Sequence, residues 1–186
     1  MNWHFGNLED ALVISNDKII MLDFYTDWWF ACNLLDANTF SNNEVIQFIN
    51  QNLINIKIDA ETEYGSALFS EFGGTGFPLL LFIDKNRNEV DRFYGFYEPK
   101  PFLDKVKAIT KGENTFPSLL NQYELGDNSA ETMSMLAKKY ADRGNDSLAM
   151  VLYENVLKSK NVSMEMFHEA KYFINAKLLW LESPDP

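Results

Sequence analysis

The sequence has little cysteine and little histidine. Cys32 is the single cysteine among 186 residues, so an internal disulfide is excluded, and with it the class of small secreted proteins held together by disulfides. His4 and His168 are the only histidines, far apart and without ligand spacing beside Cys32, so we expect no metal. The glycine cluster at 73–76 lacks the lysine and the following helix of a phosphate-binding loop. We therefore expect no cofactor.

Basic residues are also scarce. The chain has 16 Lys and Arg against 27 Asp and Glu, a net charge of −11. Such a surface repels phosphate backbones and anionic lipid, so we expect no nucleic-acid partner and no membrane partner. The longest apolar run, Phe77 to Ile83, is too short to span a bilayer. Met1 to Asp10 lacks the basic and apolar regions of a signal peptide. Unless a leader has been removed, these features predict a cytoplasmic protein.

Apolar runs and helical spacings alternate through the first 112 residues. The runs Lys18–Tyr25 and Pro78–Asp84 are nearly continuous, as in strands buried on both faces. Leu53–Asp59 alternates apolar and polar residues, and Glu89–Tyr94 follows a tight turn and should return antiparallel. The predicted order is α-β-α-β-α-β-β-α, with the strands joined through helices pairing in parallel. The fold class is therefore α/β, a central mixed sheet with helices on both faces.

The pattern changes after Lys111, because only helical spacings follow. Breaks occur at Gly126, Gly144 and Asn161. The sequence thus predicts two domains, an α/β domain over 1–112 and a small all-α region over 113–186.

One segment resembles the active-site stretch of the thioredoxin-like family. Residues 22–33 read LDFYTDWWFACN, similar to a strand followed by W-C-x-x-C at a helix start. Trp28 falls on the tryptophan before the motif, Trp29 on its first cysteine and Cys32 on its second. Asp23 matches the buried acid beneath the second cysteine, and Gly76-Phe77-Pro78 matches a loop whose proline is cis. The resemblance covers about residues 7–112 and implies a thioredoxin fold.

The chemistry of that family needs two thiols. The first, an exposed thiolate at a helix N-terminus, attacks a substrate disulfide, and the second resolves the mixed disulfide. An indole at position 29 cannot attack sulfur, so Cys32 and Asp23 keep at most a residual catalytic role. Three alternatives remain for Cys32: a buried packing residue, a single thiol that forms mixed disulfides with partners or glutathione, or one half of a native pair in an altered sequence where Trp29 has replaced the first cysteine. Asp23 is either a proton carrier or a buried acid satisfied by a polar neighbour.

The aromatic residues of the same loop also have two interpretations. Trp28 and Trp29 either fill the core or form an exposed platform at the former substrate groove. On the second interpretation, a protein or peptide partner binds the surface formed by Trp28, Trp29, Phe30, Ala31, Phe77 and Pro78. We predict this binding function, and the alternative is a thiol–disulfide oxidoreductase or isomerase relative that acts through Cys32 alone.

The helical region contains a pattern that resembles a single tetratricopeptide repeat over about 130–163. Small residues at Ala137 and Ala149 would let two helices approach, with Gly144 in the turn. The alternatives are a groove that recruits a partner and an ordinary helical hairpin. The pattern consists of Met133, Leu136, Ala137, Tyr140, Gly144, Ala149, Tyr153 and Val156.

Overall fold

The computed structural model describes residues 1–4 and 7–182, the last three by their backbone alone. Residues 5, 6 and 183–186, which the two predicted domains include, lie outside the described residues. The chain divides into two compact units, one that ends at Thr115 and one that begins at Phe116. Among the described residues, no helix is long and apolar enough to cross a membrane.

The first unit is a sheet with helices on both faces. The sheet is mixed and has the strand order β2-β1-β3-β4. Its elements are α1 (Leu8–Ile14), β1 (Ile19–Tyr25), α2 (Phe30–Leu34) with a π-helical continuation (Leu35–Thr39), α3 (Asn43–Asn52), β2 (Leu53–Asp59), α4 (Glu63–Glu71), β3 (Leu79–Ile83), β4 (Glu89–Tyr94) and α5 (Pro99–Thr110).

Strand directions agree with the prediction except at β3. β1 pairs with β2 in parallel, and β3 pairs with β4 antiparallel, both as expected. β3, however, runs antiparallel to β1, so the expectation that every helix-linked strand pairs in parallel was wrong. A helix between two strands does not by itself fix the direction of the second strand. The seven residues 72–78 after α4 let the chain enter β3 at the end of the sheet where β2 finishes, so β3 runs antiparallel to β1 and β2.

β1 lies in the centre of this unit and is buried on both faces. Because successive side chains of a strand point to opposite faces, its residues divide between two cores. Met21 packs into one core with Leu80, and Leu22 and Phe24 pack into the other with Leu81. Asp23 shares the face of Met21, so its carboxyl group lies inside the protein.

The regular elements of the second unit are all helices in its described residues, as the sequence predicts. Ala137 and Ala149 are fully buried, which lets their helices pack closely. Leu136, Tyr153 and Val156 share the same core. The helices are α6 (Phe116–Glu124), α7 (Ala130–Ala141), α8 (Asp146–Lys158) and α9 (Met164–Glu182).

Candidate functional site

The predicted site lies where β1 gives way to α2. Trp29 precedes the helix with an extended backbone, φ −83° and ψ 117°, and its side chain makes no capping hydrogen bond. The backbone N–H of Cys32 donates to the Trp29 carbonyl oxygen at 3.0 Å. Cys32 therefore lies in the first helical turn, where its side chain points into the core and is only 3% exposed.

The environment of Cys32 favours the neutral thiol. Burial is the largest effect and raises the pKa of the Cys32 thiol, because the charged form loses hydration. A hydrogen bond from the Thr26 backbone opposes this rise, and the negative charge of Asp23 adds to it. The nucleophilic form of this thiol is consequently rare at neutral pH.

Asp23 lies beside Cys32 and is 1% exposed. Burial raises the pKa of Asp23 to about 7, and the positive charge of Lys57 works against that rise. The distance from Asp23 Oδ2 to Lys57 Nζ is 3.7 Å. Asp23 Oδ1 is buried and has no hydrogen-bond partner within the described part of the chain. The carboxyl group is thus close to the point where protonated and ionised forms are equally populated near neutral pH.

Lys57 and Asp36 are site residues that the sequence analysis missed. Lys57 Nζ donates to Asp36 Oδ1 and lies 4.7 Å from the centre of the Tyr25 ring. A signal for Lys57 was present in the sequence. Asp23 and Lys57 are each the fifth residue of a mainly apolar strand, and the parallel register places them opposite one another. Asp36 gave no such signal, because its position depends on the π-helical continuation of α2.

Trp28, Trp29 and Phe30 form what we call the aromatic surface. Their side chains are 64%, 44% and 72% exposed, so none of the three is a core residue. The two indole rings meet edge to face at 5.5 Å. Trp28 Nε1 donates a hydrogen bond to Glu61 Oε1 at 2.9 Å, which ties this loop to the one that follows β2.

The remaining predicted binding residues have different surroundings. Ala31 and Phe77 are partly buried, whereas Pro78 is buried. The Phe77–Pro78 peptide bond is cis. Phe77 stacks on Phe69 of α4, with ring centres 4.6 Å apart. Among the ring contacts of the described residues, none joins Phe77 to the two tryptophans, so the exposed part of the predicted surface consists of the aromatic surface itself.

A mixed sheet with a lone cysteine at the start of the helix after its central strand defines a thioredoxin-fold protein with a one-thiol site. The sequence profile of the thioredoxin-like domain matches residues 7–110. The chain belongs to this family. The match ends before the second unit, so the tetratricopeptide resemblance stays a prediction.

Among curated proteins, the relatives are named for thiol–disulfide chemistry. The thiol:disulfide interchange protein DsbD of Haemophilus influenzae is 33% identical over 105 residues, which are 55% of this chain and 18% of that protein. The protein of the same name from Yersinia pestis is 33% identical over 110 residues, with 56% and 18% covered. The chain therefore spans less than a fifth of the length of these relatives.

Two solved structures show the same fold. A putative disulphide-isomerase from Bacteroides thetaiotaomicron has a TM-score of 0.54 and 28% identity, over 61% of this chain and 95% of that one. A thioredoxin from Thermus thermophilus has a TM-score of 0.53 and 18% identity, over 59% and 88%. The first unit is thus a thioredoxin fold, as the sequence resemblance implied.

Proposed function

We propose that this chain binds an extended segment of a partner protein on the aromatic surface and performs no two-cysteine redox cycle. The observation that carries the proposal is the exposure of Trp28, Trp29 and Phe30 together, next to a cysteine that is buried. Exposed tryptophans supply much of the binding energy at protein interfaces, since each contributes a large rigid apolar area. Burying three such side chains against a partner also removes the cost of leaving them in water.

Electron balance supports the second part of the proposal, that the chain performs no two-cysteine redox cycle. A dithiol cycle reduces a substrate disulfide with two electrons and stores the oxidised product as a disulfide between two cysteines of the enzyme. With Cys32 as its single cysteine, the chain has no second thiol to form that bond. The attacking position is occupied by Trp29, whose ring has no thiol to ionise.

The deciding experiment is the reduction of insulin disulfides by dithiothreitol in the presence of the chain. We expect no acceleration over dithiothreitol alone, and a clear acceleration by the Trp29→Cys variant, because it restores the attacking thiol at the exposed position. Trp29→Ser is the matched control, since it removes the indole without adding a thiol. Acceleration by the unmodified chain would contradict the proposal and would make Cys32 a working nucleophile.

Binding itself is tested with the isolated insulin B chain, whose cysteines are alkylated so that no disulfide exchange occurs. Trp28→Ala and Trp29→Ala should each weaken its binding about tenfold, as for tryptophans that anchor an interface. Tyr172→Ala is the control, because Tyr172 is a 77% exposed aromatic residue in the second unit. Equal affinity for all three variants and the parent chain would contradict binding at the aromatic surface.

A second candidate function is thiol–disulfide exchange through Cys32 alone. The comparisons favour this candidate over the first, because the curated relatives are named thiol:disulfide interchange proteins and one structural relative a putative disulphide-isomerase. In such a step the Cys32 thiolate attacks a partner disulfide, forms a mixed disulfide and releases one partner thiolate. An external thiol of the glutathione class then displaces Cys32 and restores it.

The pH dependence of Cys32 alkylation separates the two candidates. Because the pKa of the Cys32 thiol is raised by burial, its reaction with iodoacetamide should be slow at pH 7 and should increase past pH 9. Rapid alkylation at pH 7 would instead support exchange through Cys32. Cys32→Ser measures the background.

The second unit and the location of the chain extend the proposal. The helices α7 and α8 would act as a tetratricopeptide-like hairpin that either packs as a spacer or recruits a partner of its own. Loss of B-chain binding on deletion of residues 113–186 would favour recruitment by the hairpin, and retained binding would assign it to the first unit. A cytoplasmic location stays a prediction of the sequence.

A further inference from the structure

The aromatic surface adjoins a second loop because β1 and β2 run in parallel and end together. Tyr25 is paired with Asp59 at the ends of the two strands. The backbone N–H of Ala60 donates to the Tyr25 carbonyl oxygen at 2.9 Å, which extends the pairing by one residue. The loop after β1 therefore lies beside the loop after β2, and the hydrogen bond between Trp28 and Glu61 joins them.

The segment that carries both loops is strongly acidic. From Ile19 to Asp84 it contains nine acidic residues and one basic residue, Lys57. That lysine is already engaged, since its Nζ contacts the carboxylates of Asp23 and Asp36. The acidic residues are Asp23, Asp27, Asp36, Glu44, Asp59, Glu61, Glu63, Glu71 and Asp84.

Several of these carboxylates gather around Tyr25 at the end of β1. Burial is the largest cause of the raised pKa of the Tyr25 hydroxyl, and the negative charges of Asp59 and Asp27 are the next. Asp23 and Asp36 act on the same hydroxyl in the same direction. The carboxylates of Asp59 and Asp27 therefore lie near Tyr25, where the two strands end and the two loops begin.

Three exposed carboxylates of these loops, those of Asp27, Glu61 and Glu63, have no basic partner among the residues that the structure describes. In residues 1–4 and 7–182, no salt bridge joins Asp27, Glu61 or Glu63 to a lysine or arginine. Asp27 directly precedes Trp28 in the chain, and Glu61 accepts the hydrogen bond of its indole. A tryptophan ring next to a carboxylate that no described lysine or arginine neutralises suits one kind of side chain, a lysine or arginine whose apolar stem lies on the ring.

We infer that the aromatic surface selects extended polypeptide segments in which lysine or arginine alternates with apolar residues. The apolar side chains would cover Trp29 and Phe30, and the cationic side chains would pair with Asp27 and Glu61. This inference rests on the proposed function and adds the charge of the partner. A second copy of this chain does not fit, because its own site region carries the same excess of negative charge.

The test compares two short labelled peptides by fluorescence anisotropy. In the first, lysine alternates with valine and leucine, and in the second, glutamate replaces every lysine. We expect the lysine peptide to bind at least about tenfold more tightly at low salt, and the difference to shrink at high salt. The full chain is used throughout.

A double variant separates the local carboxylates from the net charge. Asp27→Asn with Glu61→Gln should weaken binding of the lysine peptide severalfold. Glu124→Gln with Glu154→Gln is the control, because it also removes two negative charges, at two exposed positions of the second unit. Equal losses in the two double variants would overturn the inference, as would tighter or equal binding of the glutamate peptide.

The outcomes also distinguish this inference from the proposed function. If both peptides bind equally and Trp28→Ala weakens both, polypeptide binding stands and the charge selection is wrong. If neither peptide binds, the inference and the proposed function fail together. If the lysine peptide alone binds, and both Trp28→Ala and the double variant at Asp27 and Glu61 weaken it while the control double variant does not, both are supported.

Discussion

Trp29 and Cys32 lie three residues apart in one turn and face opposite environments. Trp29 is 44% exposed, whereas Cys32 is 3% exposed and the charges of Asp23 and Lys57 act on the pKa of its thiol. We call the exposed face of this turn, which carries Trp29, its outer side, and the buried face, which carries the thiol of Cys32, its inner side. A dithiol site needs a reactive sulfur on the accessible side.

The two sides of this turn therefore suit different roles, binding on the outer side and acid–base chemistry on the inner side. On the proposed function, the outer side binds a polypeptide by the area and charge of its side chains, with no bond made or broken. On the inner side, the carboxyl group of Asp23 and the ammonium group of Lys57 lie near the thiol of Cys32 and could exchange a proton with it. The exposed attacking thiol that such a proton transfer would serve is missing, because Trp29 occupies its position. The two sides can therefore be altered independently, and three substitutions test this independence.

The largest effect is expected from Gly65→Ala. This change would displace the loop after β2, whose Glu61 holds the indole of Trp28 on the outer side. An added Cβ at Gly65 would lie 1.9 Å from the backbone oxygen of Asp59, far inside contact distance. Relief requires the end of β2 or the start of α4 to move, so we expect the free energy of unfolding to fall by about 3 kcal/mol. Urea denaturation followed by circular dichroism measures the change.

Ser66→Ala is the control for this substitution, since Ser66 is the next residue of α4 and is exposed. Its stability should stay within about 0.5 kcal/mol of the parent chain. A Gly65→Ala chain as stable as the control would show that the loop after β2 can move freely. The close approach of α4 to the end of β2 would then not determine the position of that loop.

The second effect is expected from Asp23→Asn on the inner side. The pKa of Asp23 is about 7 in the folded chain and about 3.9 in an unfolded one. Between these values the folded state binds more protons, so the contribution of Asp23 to stability falls as pH rises from 4 to 7 and stays low above 7. The variant lacks this loss, which a rise of about three pKa units sets at about 4 kcal/mol, but it also removes one carboxylate from Lys57; at pH 8 it should therefore exceed the parent by about 2 kcal/mol, with little difference at pH 4.

Asp36→Asn provides the comparison, because it removes the other carboxylate of Lys57 from a position with a 43% exposed side chain. Its effect on stability should be small, because an exposed ion pair contributes little. If Asp23→Asn instead destabilised the chain most at pH 8, the ion pair with Lys57 would outweigh the burial of the acid, and the direction assigned to the pKa of Asp23 would be wrong.

The two sides also differ in how far the sequence predicts them. The position of Cys32 and Asp23 follows from the apolar strand and the motif after it, because a buried strand fixes which face each residue takes. The strand order beyond β1 and β2 does not, since the direction of β3 depends on the loop at 72–78. The contact of Trp28 with Glu61 joins residues 33 positions apart, and it arises only once the two strands end side by side.

The smallest effect is expected from Glu61→Gln, which sharpens the description of the outer side. The carboxylate of Glu61 accepts the Trp28 indole hydrogen bond at an exposed position, where such a bond contributes about 0.5–1 kcal/mol. The amide oxygen of Gln can accept the same bond without the charge, so global stability should be unchanged while Trp28 becomes more mobile. Glu61→Ala removes the acceptor and should increase this mobility further.

Time-resolved tryptophan anisotropy in a chain with Trp3, Trp29 and Trp180 replaced by Phe reports Trp28 alone. Identical anisotropy decays in Gln, Ala and parent chains would mean that the position of Trp28 is set by its edge-to-face contact at position 29 and by the turn, and that Glu61 contributes only charge to this surface.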